Sequence, residues 1–294
     1  MPYAHHGAVD IYYETFGDPA DPALLLINGL GSQCLSYRPE WCERFVDRGF
    51  FTIRFDNRDV GLSTKFKEVT PELGAVVQAL RDGKEPVVAY RLAEMATDAV
   101  AVLDDLGIDR AHVMGVSMGG MIVQQLAIDH PDRLASMTSV MSTTGDTDVG
   151  QATPEAFAIL TGPPATSRDA AIARQLEAGR TFGSPDHYDP DRLTQQAAEA
   201  YDRCFYPAGV ARQITAVVAS GSRSEGLRSV RLPALVIHGD KDTLIDISGG
   251  RRTAECIPGA RFEVLEGMGH DSPPAYWDRW ADLVADHAGV PTSS

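Results

Sequence analysis

The sequence predicts an α/β fold: a mostly parallel sheet flanked by helices and interrupted once by an inserted helical segment. Three observations carry that expectation. Short apolar runs rich in β-branched and aromatic residues alternate with segments of helical period, the pattern of strands joined by crossover helices. Most of those runs are apolar throughout rather than alternating, as strands covered on both faces must be. The rhythm then lapses between about Gly145 and Arg228 and resumes at Leu232.

Taken in order, strands are expected over residues 11–16, 23–27, 51–55, 111–116, 137–141, 234–238 and 261–265. Between the third and fourth, Leu92, Met95, Ala99, Leu103 and Leu106 recur at three- and four-residue steps, which makes residues 91–106 a helix with one apolar face. Gly107 follows as its cap. A second helix begins just after Ser117 and runs through Met121, Ile122, Gln125 and Leu126 to His130, where Pro131 stops it. Residues 145–228 are rich in Ala, Gly, Pro and polar side chains, show helical patterns at 170–178 and 191–201, and hold no buried-strand run. The expected organisation is therefore one sheet domain, residues 1–144 and 229–294, split by a helical insertion over 145–228. The tail 291–294 reads as disordered.

Composition narrows the function. The 294 residues carry 26 Lys plus Arg against 41 Asp plus Glu, a formal charge of −15. That balance repels a phosphate backbone and argues against nucleic acid as a partner. With 44% hydrophobic and 23% charged residues the chain sits among ordinary globular proteins. Cys34, Cys42, Cys204 and Cys256 form no CxxC pair and read as reduced, mostly buried thiols. Residues 1–10 lack a basic-then-apolar leader, and no apolar run approaches the roughly 20 residues of a membrane span, so the expectation is a cytoplasmic protein.

The strongest chemical signal is Gly115-Val116-Ser117-Met118-Gly119-Gly120, set between an expected strand and an expected helix. This is the G-x-S-x-G nucleophile elbow in its required context. A serine in so sharp a turn needs neighbours without Cβ atoms, and the helix behind it offers free N–H donors to a developing oxyanion. Serine alone is a weak nucleophile and requires a base and an orienting acid. Of eight histidines, His270 stands out because it follows the strand 261–265 in a glycine-rich loop, Glu266-Gly267-Met268-Gly269-His270-Asp271; the others read as surface, terminal or packing residues. For the acid, the loop after strand 234–238 offers Asp240, Asp242 and, further on, Asp246.

Elbow, aspartate loop and histidine loop in this order resemble the α/β-hydrolase family over the whole chain. The resemblance implies Asp242 as the acid, three residues after Gly239, with Asp240 left as a turn residue. It also implies that the insertion is a helical cap over the site. Asn28-Gly29-Leu30-Gly31 stands where the family usually has His-Gly, so the backbone N–H groups of Leu30 and Met118 are the implied oxyanion hole. Asp56-Asn57-Arg58-Asp59-Val60-Gly61-Leu62-Ser63 resembles the family's D-x-R-G-x-G-x-S turn, with Asp59 in place of its first glycine; Asp56 and Arg58 read as an ion pair or turn network. This variant is similar to the turn of the aclacinomycin methylesterase-like bacterial hydrolases. Gly29-Leu30-Gly31 after a strand also mimics a dinucleotide fingerprint, but Cys34 breaks that pattern where its third glycine belongs.

The expected chemistry is acyl transfer. His270 takes the Ser117 proton during attack on an ester carbonyl, Asp242 fixes the imidazole tautomer, and water activated by His270 releases the acyl group. Neither metal nor organic cofactor is called for. The expected partner is a small, apolar ester. Phe157, Phe182, Tyr188, Tyr201, Phe205 and Tyr206 of the insertion are candidates to line its pocket, with Phe157, Phe182 and Tyr206 singled out, and they are equally candidates for the insertion's own core. Haloperoxidase-like chemistry, carbon–carbon bond hydrolysis and a receptor without turnover are the alternatives. An aminopeptidase would need a carboxylate for the substrate ammonium, for which Glu177 and Glu199 are candidates.

Overall fold

The computed structural model describes residues 2–70 and 72–290, and these form an eight-stranded sheet with helices on both faces. The strands are β1 (Tyr3–His6), β2 (Val9–Phe16), β3 (Ala23–Ile27), β4 (Phe51–Phe55), β5 (Ala111–Val116), β6 (Leu134–Val140), β7 (Ala234–Gly239) and β8 (Arg261–Leu265). Their spatial order is β1-β2-β4-β3-β5-β6-β7-β8. The β1–β2 and β2–β4 pairs are antiparallel, and every pair from β4 to β8 is parallel. The expected strand at 137–141 instead spans Leu134–Val140, and Met141 leaves it at φ +41°. The sequence reading missed β1, whose exposed His5 and His6 make it an edge strand that exists through its pairing with β2. β8, in which Arg261 and Glu263 alternate with apolar residues, is likewise an edge, with Val264 exposed, rather than a strand covered on both faces.

Helices α1 (Pro39–Val46), α2 (Leu73–Arg81), α3 (Leu92–Asp105) and α4 (Met118–Asp129) connect the first six strands. Between β6 and β7 lie α5 (Pro154–Thr161), α6 (Arg168–Phe182), α7 (Pro190–Arg203), α8 (Pro207–Ser220) and the single turn α9 (Ser224–Leu227). The chain then forms α10 (Ser248–Cys256) and α11 (Trp277–Ala288). Thr153, Ser167 and Asp189 cap α5, α6 and α7 by accepting backbone N–H groups, as short polar side chains do at helix starts. The tail 291–294 lies outside the described residues. Among them no helix is long and apolar enough to cross a membrane.

Alternation along each strand divides the core. Leu25 and Ile27 of β3 pack with α3, α4 and Cys256 on one face, whereas Leu24 and Leu26 pack with α1 and α11 on the other. On the second face Trp41 stacks on Trp277 at 5.6 Å and meets Trp280 edge-on at 5.3 Å, which locks α1 to α11.

A buried ion pair locks the loop after β4 to α3. Arg58 donates Nε to Asp98 Oδ2 at 2.6 Å and Nη2 to Oδ1 at 2.7 Å, and both side chains are almost wholly buried. Burial pushes the Asp98 carboxyl up, against the pull of Arg58. Arg58→Met leaves that carboxylate stranded and is expected to cost about 3–5 kcal/mol in urea unfolding. Adding Asp98→Leu should recover most of the loss; an unchanged midpoint in the single variant would refute the pairing.

Candidate active site

Ser117 joins β5 to α4 at φ +54° and ψ −119°, a conformation that costs a residue with a side chain on the order of 1–3 kcal/mol. The surroundings impose it. Ser117 N–H donates to Val140 O at 2.9 Å, and its carbonyl accepts Ser142 Oγ at 2.8 Å and Met121 N–H at 3.2 Å. A Cβ on Gly115 would overlap the Gly119 carbonyl, and one on Gly119 would overlap the Ile27 carbonyl. Both elbow glycines are therefore required by close approach.

His270 and Asp242 reach this serine from the loops after β8 and β7. His270 Nε2 lies 2.9 Å from Ser117 Oγ, and Nδ1 lies 2.7 Å from Asp242 Oδ2. An ionised carboxylate can only accept, so Nδ1 carries the proton and Nε2 is free to accept from the serine hydroxyl. The other oxygen of Asp242 accepts the Leu244 and Ile245 N–H groups at 2.9 and 2.8 Å. Burial raises the Asp242 carboxyl, but the His270 charge and hydrogen bonds from His238 and His270 outweigh it and hold the group well below the usual range. The competing aspartates serve turns: Asp240 accepts Gly267 N–H at 2.7 Å and Asp246 accepts Ser248 N–H at 2.9 Å.

One neighbour escaped the sequence reading. His238, set aside as a packing residue, is fully buried with Nε2 2.8 Å from Ile245 O and 3.4 Å from Asp242 Oδ2. Its place four residues before Asp242, at the end of β7, was the available signal.

The histidine loop is gripped by the segment leaving α6. His270 N–H donates to Phe182 O at 2.6 Å, Gly269 N–H to Ser184 Oγ at 3.0 Å, and Asp271 Oδ1 accepts Ser184 N–H at 3.0 Å. Phe182 meets the His270 ring edge-on at 6.1 Å, so it stands beside the reactive groups. The Tyr206 hydroxyl accepts Arg212 Nη2 at 2.8 Å. Phe157 of α5 is 58% exposed. Tyr201 and Phe205 pack on each other at 4.4 Å. Glu199 is engaged by Arg38 and Gln195 and Glu177 is exposed, so neither stands as a free, buried carboxylate for an ammonium.

The loop after β3 lies against the elbow. A Cβ on Gly29 would sit 3.3 Å from Ser117 Cβ. Among the described residues, neither Leu30 N–H nor Met118 N–H has a protein acceptor. Asn28, buried where the family has histidine, donates Nδ2 to Phe55 O at 3.2 Å, and its carbonyl accepts Asn57 Nδ2 at 3.1 Å, so the substituted loop is tied on both sides. The segment then enters a 3-10 turn at Cys34–Ser36 instead of a helix N-terminus, which removes the dinucleotide resemblance. Asp56 and Arg58 do not pair with each other: Asp56 accepts Cys34 and Leu62 N–H at 2.7 and 2.8 Å and meets Arg203, while Arg58 turns to Asp98. Asp59 adopts φ +72° and is held by Arg212 Nε and Nη2 at 2.8 and 2.9 Å, with Tyr90 donating at 2.7 Å. No group of three or more His, Cys, Asp or Glu side chains among the described residues is arranged to hold a metal ion.

The α/β hydrolase fold family model matches residues 22–273, and the chain belongs to that family. Within it, the chain is 30% identical to rhodomycin D methylesterase of Streptomyces sp. strain C5, over 97% of this chain and 96% of that protein. It is 29% identical to 3-oxoadipate enol-lactonase 2 of Acinetobacter baylyi, over 88% and 85% of the two chains. The solved enol-lactonase from Burkholderia xenovorans superposes with a TM-score of 0.75 at 22% identity, over 98% of this chain and 100% of that one, a likeness of fold.

The lowered carboxyl of Asp242 links the site to stability. Ionised Asp242 adds stability above its unfolded value of about 3.9, and that contribution disappears as pH falls toward the folded value. Asp242→Asn is therefore expected to narrow the gap in unfolding free energy between pH 7 and pH 3; an unaltered gap in paired denaturant titrations would contradict the shift.

Proposed function

We propose that the protein is a serine hydrolase of carboxylic esters acting through an acyl-enzyme. The observation that carries this reading is the hydrogen-bonded chain Asp242–His270–Ser117 at an elbow flanked by two acceptor-free N–H groups. The methylesterase and enol-lactonase names of its relatives support ester chemistry, since a lactone is a cyclic ester.

In this mechanism His270 Nε2 takes the Ser117 proton as Oγ attacks the ester carbonyl. Negative charge gathers on the carbonyl oxygen, and the N–H groups of Leu30 and Met118 stabilise it there. The imidazolium, held by Asp242, returns its proton to the departing alkoxide. Water then gives a proton to the same nitrogen and attacks the acyl-enzyme, which releases the acid and restores Ser117 Oγ–H. No step calls for a metal or an organic cofactor.

Residues 145–228 serve in this reading as a cap over a core of residues 1–144 and 229–294, a division supported by the hydrogen bonds that Phe182 O and Ser184 Oγ accept from the histidine loop. Phe182 then forms part of an apolar wall beside the reacting carbonyl. Substrates are small apolar esters.

Hydrolysis of p-nitrophenyl esters from acetate to palmitate tests the proposal. Ser117→Ala is expected to lose at least about a thousandfold in kcat. An active variant would remove Ser117 as nucleophile, and an inactive parent across the whole series would favour a receptor or a more specialised hydrolase.

A further inference from the structure

The segment between β6 and β7 also holds the loops after β3 and β4, through two consecutive residues of α8. Arg212 clamps Asp59, as described above. Gln213, fully buried, has its amide between two loops: Oε1 accepts Gly31 N–H at 2.8 Å, and Nε2 donates to Arg58 O at 2.8 Å. These partners lie more than 150 residues earlier in the chain.

We propose that Gln213 is a positioning residue of the oxyanion hole, holding the loop so that Leu30 N–H faces the oxygen of the tetrahedral intermediate. This rests on the esterase reading above. The loop is tied at three polar groups around that donor: Asn28 O accepts Asn57 Nδ2 at 3.1 Å, Gly29 O accepts Ser32 N–H at 3.2 Å, and Gly31 N–H is taken by Gln213. Leu30 N–H is left without a protein acceptor among the described residues. Without the glutamine, Gly31 N–H is a half-buried donor without its partner, and Gly31 at φ +67° has the freedom to turn and find another. Rotation of the Leu30–Gly31 peptide displaces Leu30 and with it the Gly29–Leu30 peptide that carries the donor, so the N–H loses its aim. Against Gln213's other bond the Arg58 carbonyl is a fixed support, because that turn is anchored by Arg58–Asp98 and Asp59–Arg212.

The experiment compares the full chain with Gln213→Met, which keeps the volume and removes both amide partners, and with Gln213→Glu, which keeps an acceptor for Gly31 N–H. Steady-state hydrolysis of the best p-nitrophenyl ester is read beside the affinity for phenylboronic acid, whose tetrahedral adduct on serine places an oxygen in the hole. Gln213→Met is expected to lose about ten- to a hundredfold in kcat, less than the roughly 10²–10³ lost with a whole oxyanion donor, with KM within about twofold. Boronate affinity should fall in parallel, and Gln213→Glu should retain more of both. If Gln213→Met does not fold, Gln213→Asn, which shortens the reach of the same amide, carries the comparison. A folded variant with unchanged kcat and boronate affinity overturns the proposal, as does a loss confined to KM. Turnover surviving in Ser117→Ala would instead overturn the serine-hydrolase reading itself, so the two failures are distinguishable.

Discussion

The close approach of β5, α4 and β3 at Gly115 and Gly119 is the constraint on which the rest of the site depends. With no room for a Cβ at either position, strand and helix meet so tightly that Ser117 takes a positive φ and its side chain stands clear of both. The same contact brings the Asn28–Gly31 loop against the serine. Parallel pairing then does the assembling: β3, β5, β6, β7 and β8 all run the same way, so the loops that follow them open on one edge of the sheet. Leu30, Ser117, Asp242 and His270 come from four such loops, and the rigid sheet fixes their separation.

Under that edge lies a set of buried charges. Asp56 faces Arg203 of α7, Asp59 faces Arg212 of α8, and Asp98 of α3 faces Arg58. The cost of removing two ions from water roughly offsets their attraction, so such pairs contribute little net stability. Breaking one is another matter, because the remaining charge has no partner. A shift of α7 or α8 by one residue would strand a carboxylate, and this gives the two helices a defined seat on the sheet. Asp59 carries an additional backbone strain at φ +72°, where a glycine would sit without cost, and four hydrogen bonds to its carboxylate hold it there.

The sequence was legible where a feature is local. Strands 23–27, 51–55 and 111–116 follow from short, mostly apolar runs, and β5–Ser117–α4 follows from glycines spaced for a sharp turn. It was less legible at edges, where β1 carries polar histidines and becomes a strand by pairing, and in Asp56 and Arg58, two residues apart, whose side chains go to different partners. Gln213 was unreadable in advance, since it is an ordinary residue whose importance comes from what is packed against it, and His238 offered no signal beyond its place four residues before Asp242.

By itself, the sequence determined the α/β class, the elbow and the small group of side chains able to act with it, because those depend on spacings of a few residues that backbone geometry converts into structure. The tertiary structure brought Asp242, the acid implied by the family resemblance, against His270, turned Phe157 to solvent while Phe182 stands beside the imidazole, and let α8 hold the Gly31 loop. Those outcomes are contacts between residues far apart in the chain, set by how helices seat on a sheet, and no local pattern encodes a distance of that kind.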